Sequence, residues 1–365
     1  MITIFIKSSG PRGGSVWPSG AVVAPVNANG YRYHVNVSLR ILTGLLLAAP
    51  VALAGCSGGQ DAAPTPSASA PAAGACPSAP VSVVVSVDQW GDVVSALGGD
   101  CAKVTTILAS SSVDPHDYEP APTDAATFEG AQLIVVNGGH YDAWATKLAA
   151  SSAPAAPVVD AMQASGIEAA HGEADGHDHE GEDHEHADGV NPHIWYSPAA
   201  VTAVADAVTA ELSKLAPDAA DYFRERRAAF GDSLKPYDQL IDTIKAGAAG
   251  KTYAATESVF DDMAAALGLV NHTPEGYQVA SSNESDPAPA DLDAFLRLLG
   301  DHGVDVLIYN VQTEGSVPEQ IRSAAEQAGV PVVDVTETVP PGTSSFESWQ
   351  VDQLTALAKA LGVPA

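Results

Sequence analysis

The densest concentration of chemically active side chains is HGEADGHDHEGEDHEH, residues 171–186, where His171, His177, His179, His184 and His186 stand among seven carboxylates with no Lys or Arg. Imidazole and carboxylate both suit a borderline metal such as zinc, and so polar a run cannot bury a core. The segment therefore reads as an exposed loop that captures metal weakly at several places. A zincin mechanism is unsupported, because no H-E-x-x-H is completed: His179-Glu180 leads to Asp183, and His184-Glu185 to Asp188. Two more histidines each follow a proline, His116 in VDPHDYEP (113–120) and His193 in NPHIWYSP (191–198). Proline holds the approach to each extended, which favours an imidazole projecting from the end of an element into the crevice where open α/β sheets bind ligands.

Such residues need a scaffold, and the chain supplies an alternation of strand and helix, twice over. The apolar runs PVSVVVSV, KVTTILAS, AQLIVVNG and PVVDAM are separated by the helical segments DQWGDVVSALGG, TDAATFEG and YDAWATKLAAS. A second series runs TYAATE, SVFDDMAAALGL, DLDAFLRLLGDHG, VDVLIYN, PEQIRSAAEQAG and PVVDVTET, with a last helix near 347–362. Short continuous apolar strands between helices indicate parallel sheets covered on both faces. The expected fold is α/β: an N-terminal lobe over 79–196, which includes the loop 171–186, and a C-terminal lobe over 247–365. Residues 197–246 between them read as connector helices. Pro217 opens the second, whose nearly thirty residues would span about 45 Å, with a kink or break expected at Gly231 and Pro236.

Composition narrows the function. The 365 residues carry 45 acidic and 16 basic side chains, a net charge of −29, which excludes nucleic-acid binding because phosphate neutralisation needs clustered Lys and Arg. A hydrophobic fraction of 46% excludes disorder of the whole chain. Residues 1–34 read as an extra segment or one upstream of the true start, and 35–55 as a signal peptide. The apolar run ILTGLLLAAPVALAG after Arg40 is too short for a bilayer, and its LAGC ending resembles a lipobox, making Cys56 an acylated anchor. Residues 56–78, rich in Ser, Ala, Pro and Gly, read as a flexible tether. The body would then be held on the outer face of the cell membrane, an oxidising compartment where Cys76 and Cys101 can pair as a disulfide.

The D-P-H-x-Y-E-P of 114–120, the N-G of 137–138 before an aromatic-rich helix, the x-P-H-I-W of 191–195 and the acidic His-rich insert resemble one family. It is that of the metal solute-binding lipoproteins of zinc and manganese ABC importers, the cluster A-I or TroA-like proteins, and the resemblance runs from about 79 to 365. It implies two α/β lobes joined by one long helix, with one divalent metal held in the cleft by four side chains, two from each lobe. The first two ligands map onto His116 and His193. The third, histidine in zinc-type members and glutamate in several manganese-type members, maps onto Glu257. The fourth, a carboxylate after the last strand, maps onto Glu337, with Glu in place of the more usual Asp and with Glu314 and Asp334 as nearby competitors.

The set makes physical sense, since two neutral imidazoles and two carboxylates cancel the charge of a dication, whereas two buried glutamates alone would be disfavoured or would protonate. Glu257 has an alternative reading as a helix N-terminal acid favoured by the macrodipole. His140 is expected at the rim of the site, and His272 and His302 in structural roles. Zinc comes first on affinity order and on the His-rich insert, manganese second on the hardness of two carboxylates. The implied function is extracytoplasmic capture of the metal by a monomer and its delivery to an ABC permease driven by a cytoplasmic ATPase, with no bond made or broken. Two other classes stay open: a secreted metal-dependent enzyme, whose metal would keep a position for water, and a scavenging or adhesion lipoprotein with no permease partner.

Overall fold

Two four-stranded sheets form from the two apolar series. The computed structural model describes residues 75–109, 118–167, 190–283, 285–313 and 315–364. Cys56, the loop 171–186, His116 and Glu314 lie outside these residues. The first sheet contains β1 (Val81–Val87), β2 (Ala102–Leu108), β3 (Leu133–Val136) and β4 (Val158–Asp160), in the order β2-β1-β3-β4. The second contains β5 (Thr252–Ala255), β6 (Val270–Asn271), β7 (Val306–Asn310) and β8 (Val332–Val335), in the order β6-β5-β7-β8. Every pairing in both is parallel, so all strand carboxyl ends of a sheet point the same way.

Helices cover both faces of each sheet. Around the first lie α1 (Asp88–Gly98), α2 (Pro122–Phe128), α3 (Ala143–Ser152) and α4 (Ala161–Ser165). The connectors are α5 (Pro198–Leu215), α6 (Ala220–Ser233) and α7 (Lys235–Ala248). Around the second sheet lie α8 (Asp261–Leu267), α9 (Glu275–Ser282), α10 (Pro289–Gly300), α11 (Ser316–Ala328) and α12 (Phe346–Leu361). Strand side chains alternate between two layers as the period of two requires. Val83, Val85, Leu133, Val135, Tyr253, Ala255, Val306 and Ile308 enter one large core that also holds Trp90, Trp195, Phe223, Tyr237 and Trp349. The opposite faces are sealed separately, by Val84, Ile134 and Phe128 in one lobe and by Leu307, Phe295 and Ile321 in the other. The shared core is what joins the lobes, each large apolar side chain adding about 1.5–3 kcal/mol on burial.

The connector runs across that core. Ser197 caps α5 by accepting from Ala200 N–H, and Pro198 fills its first turn. Ala216 (φ −133°, ψ 75°) ends α5, and after Pro217 the chain turns into α6. Leu234 between α6 and α7 keeps helical angles (φ −75°, ψ −11°), and Asp238 N–H still bonds Leu234 O at 2.9 Å. Pro236 removes one donor there, and the helix is interrupted at Leu234 alone, between Gly231 and Pro236 where the sequence reading expects a kink or a break. Residues 220–248 therefore act as one rod of about 43 Å. One end packs on α1 and the other on α8 and α12.

Local chemistry adds details that periodicity does not give. The strand expected over PVVDAM stops at Asp160, whose carboxylate caps α4 by accepting from Gln163 N–H. β6 and α9 are absent from the sequence reading, the first being two residues long and the second burying only Tyr277. Cys76, inside the stretch read as tether, is bonded to Cys101 with Cα atoms 5.0 Å apart, which fastens that residue to the first lobe. The bridge closes 25 residues around β1 and α1, a loop whose closure in the unfolded chain corresponds to about 3 kcal/mol. Reduction, or C101S, is expected to lower the unfolding free energy by roughly that amount. Denaturant titration with and without reductant measures it, and coincident curves would refute it.

Candidate metal centre

His193 sits where the chain enters the connector. The NPH stretch places it at φ −81°, ψ 42°, the residue before a single 3₁₀ turn, Ile194–Tyr196. Asn191 fixes its ring. Because Asn191 Nδ2 donates to Ser258 O at 2.7 Å, its Oδ1 must be the acceptor for His193 N–H (3.1 Å) and for the ring Nδ1 (2.7 Å). In the neutral ring the proton is thus on Nδ1 and the lone pair on Nε2, the arrangement that holds a metal-binding histidine in one tautomer. Nε2 faces Glu337 Oε2 at 3.5 Å. Tyr141 and Trp195 pack edge-on against the imidazole, with ring centroids 5.8 and 5.3 Å away, so it is 4% exposed.

Both acids follow strand ends of the second sheet. Glu257 lies two residues beyond β5 in extended backbone (φ −152°, ψ 167°), and its side chain makes no helix cap. Glu257 does stand at the N-terminal end of the Ser258–Phe260 turn, where the alternative reading put an acid, and its Oε2 accepts from Asn310 Nδ2. Glu337 lies two residues beyond β8 and is 2% exposed. Its Oε1 accepts from Asn310 Nδ2 at 2.8 Å and its Oε2 from Tyr141 O–H at 3.0 Å. Gln312 Oε1 accepts from the N–H groups of Glu337 (2.8 Å) and Thr338 (3.0 Å), which fixes the backbone that carries the carboxylate.

Electrostatics follow from burial. Desolvation, and then the charge of Glu337, push the Glu257 carboxyl above its usual range, while the Asn310 donor pulls it back. Desolvation and Glu337 also hold the Tyr141 hydroxyl well above its ordinary value, so it stays protonated and donates. Among the described residues no three His, Cys, Asp or Glu side chains form a ready metal cage. His193 meets Glu337 directly, and Asn310 Nδ2 bridges Glu257 to Glu337.

The remaining sequence candidates separate clearly. Asp334 is exposed and paired with Arg322 at 2.7 Å, away from His193. His140 is exposed, with φ +67°. His272 is exposed and bonds Gly303 O through Nδ1, and His302 is exposed in a left-handed turn after α10. His116 and Glu314, like His171, His177, His179, His184 and His186, lie outside the described residues. The sequence reading missed Tyr141, Asn310 and Gln312. The one available signal was the polar ending of VLIYNVQ, where an otherwise apolar buried strand finishes on Asn.

Comparison with known proteins points the same way. The family model of the periplasmic component A of the zinc-uptake complex (ZnuA) matches residues 83–360. The high-affinity zinc uptake system protein ZnuA of Bacillus subtilis is 28% identical over 218 residues, which is 60% of this chain and 67% of that protein. The zinc-binding lipoprotein AdcA of Streptococcus pneumoniae is 24% identical over 203 residues, 54% of this chain and 38% of that one. The manganese-binding lipoprotein MntA of Halalkalibacterium halodurans is 23% identical over 164 residues, 44% of this chain and 48% of that one. The chain thus aligns with less than half the length of the last two. In fold it is similar to a crystal structure of ZnuA, with a TM-score of 0.60 and 21% identity over 78% of this chain and 99% of that one. The periplasmic zinc-binding protein TroA from Treponema pallidum gives 0.62 at 17% identity, over 77% and 99%.

The Asn191 contact can be probed directly. Asn191→Ala removes the acceptor that fixes the His193 ring, and partners of this kind are worth about 10–100-fold in metal affinity. Competitive titration of zinc against a chelating dye should show that loss with an unchanged circular dichroism spectrum. Wild-type affinity in the variant would mean that His193 orientation is irrelevant to binding.

Proposed function

The chain belongs to the family of periplasmic zinc-uptake component A proteins, and from that premise we propose that it is the extracytoplasmic metal receptor of an ABC importer. It captures one divalent transition metal between its lobes and delivers it to a membrane permease powered by a cytoplasmic ATPase. The ligands are His116 and His193 from the first lobe and Glu257 and Glu337 from the second. The observation that carries this reading is the 3.5 Å between His193 Nε2 and Glu337 Oε2. Two ligands bound at about 2.0–2.1 Å to a tetrahedral zinc lie roughly 3.3 Å apart, so this imidazole and this carboxylate already stand close to one edge of such a site.

The cargo is zinc, with manganese as the competitor. Zinc is the higher in the Irving–Williams order, and imidazole suits it, whereas two carboxylates also accept the harder Mn²⁺. Relatives of both kinds exist, since AdcA is named for zinc and MntA for manganese. Cys56 serves as the lipid anchor, and the histidines of 171–186 act as a weak capture segment ahead of the cleft. We assign the protein no catalytic step: its family is one of transport receptors, and both acids are engaged by fixed donors instead of being poised against a substrate bond. It works as a monomer.

Competitive titration of the metal-free mature protein with Zn²⁺ and Mn²⁺ tests the reading, with residues 171–186 deleted in a parallel sample. One tight zinc site should survive the deletion, and manganese should bind more weakly. His116→Ala, His193→Ala and Glu337→Ala should each weaken that site at least 100-fold, on the scale of losing a buried partner of a charged group. Tight binding that disappears with the loop and ignores these substitutions would defeat the proposal.

A further inference from the structure

We infer that Asn310 is a positioning residue for metal capture, holding Glu257 and Glu337 at the spacing of two ligands before the cation arrives. The inference rests on the reading of the cleft given above. Strand order makes it possible. In β6-β5-β7-β8 the strand β7 lies between β5, which leads to Glu257, and β8, which leads to Glu337. Neighbouring strands are about 4.8 Å apart, so the two acids start from strands separated by roughly twice that distance. Asn310 is the last residue of the strand between them, and it is 1% exposed.

Its amide orientation is fixed by its neighbour. Oδ1 accepts from Gln312 N–H at 3.1 Å, so Nδ2 is the end turned toward the acids, with one hydrogen for Glu257 Oε2 and one for Glu337 Oε1. An apolar residue here would leave two buried carboxylates with no shared donor, and an acid would add a third charge. The amide is neutral, donates twice, and spans the gap. By occupying Glu337 Oε1 it leaves Oε2 as the oxygen directed at His193. A cation then meets acids that are already spaced, and less ordering is lost on binding.

A purely architectural role, ending a strand, predicts that any substitution weakens binding. The positioning role predicts opposite signs for two variants. N310L removes both donors at similar volume, and zinc affinity of the full chain should fall about 10–100-fold. In an E257A background the same change should cost clearly less than in wild type, because one of the two acids that the amide holds is gone and only the bond to Glu337 remains. N310D keeps the volume and the acceptor for Gln312 but sets three carboxylates together. Its metal-free thermal midpoint should drop below wild type, and added zinc should raise it by more than in wild type.

Wild-type affinity in N310L, full additivity with E257A, or a zinc-induced shift in N310D no larger than wild type would each overturn the inference. Should N310L not fold, the N310D comparison decides. H193A, measured beside them, separates the two levels. Lost binding in H193A with intact binding in N310L removes only the role of Asn310, whereas intact binding in H193A removes the cleft reading and this inference with it.

Discussion

Two carboxylates brought into one poorly hydrated space repel each other unless proton donors or a cation stand between them. Glu257 and Glu337 are in that position, and the surrounding structure answers it with donors. Asn310 Nδ2 serves both acids, Tyr141 O–H serves Glu337, and the His193 ring faces the same oxygen. Asn310 is held in turn by its place at the end of β7 and by Gln312, and the His193 ring, whose Nε2 turns a lone pair toward Glu337, is held by Asn191. The apolar strands supply the stiffness, and polar groups are confined to the few residues past their carboxyl ends. These donors compensate the buried acids in part, and a dication placed among them would compensate them more fully.

The two sheets share one permutation, and the parallel extends to individual residues. β3 and β7 hold equivalent places, and each ends at an asparagine: Asn310 is the last residue of β7 and Asn137 follows β3 directly. Asn137 is fully buried, accepts from Trp90 Nε1 at 2.8 Å and donates through Nδ2 to Pro192 O at 2.9 Å. It therefore braces the peptide next to His193, as Asn310 braces the acids. In both lobes a short neutral amide at the end of the same strand holds a segment that bears a candidate ligand. Asn suits the place because it offers a donor and an acceptor on a stem short enough to stay fixed.

Much of this was legible in the residues. Continuous valine and isoleucine runs identify buried parallel strands because nothing else in an α/β protein buries both faces of so short a segment. Pro217 and Pro236 mark the start of the second connector helix and the interruption within its run because proline cannot donate to the helix ladder. The family resemblance singled out His193, Glu257 and Glu337, and the structure brings His193 beside Glu337. What stayed hidden depends on strand order, which no local pattern encodes. Asn310 becomes interesting only when β7 is known to lie between β5 and β8, although 21 residues (311–331) separate it from β8 in the chain and 54 (256–309) from β5. Tyr141 is similar, since its partner Glu337 is 196 residues away. The sequence reading put Glu337 first, with Glu314 and Asp334 as competitors, but had no means to see that Asp334 meets Arg322 and solvent while Glu337, in the loop beyond, is buried beside His193.

The segment that carries Glu337 belongs to the second lobe by chain order but is tied to the first by hydrogen bonds. Tyr141 bonds its carboxylate, Tyr196 O–H donates to Thr336 O at 2.7 Å, and Val339 N–H donates to Asp88 at 3.2 Å. Asn191 adds a fourth link, through Ser258 O, beside Glu257. Each such bond is worth about 1 kcal/mol net, little against the shared apolar core but enough to define one preferred arrangement. The rod of residues 220–248 is packed at both ends. Any separation of the lobes would stretch or break the links at residues 336–339 first, because hydrogen bonds weaken over fractions of an ångström and helix packing yields gradually. The spacing of candidate ligands and the contact between lobes therefore meet at Glu337. The oxygen aimed at His193 belongs to a side chain whose backbone cannot move without parting from the other lobe, so separating the lobes would also draw Glu337 away from His193.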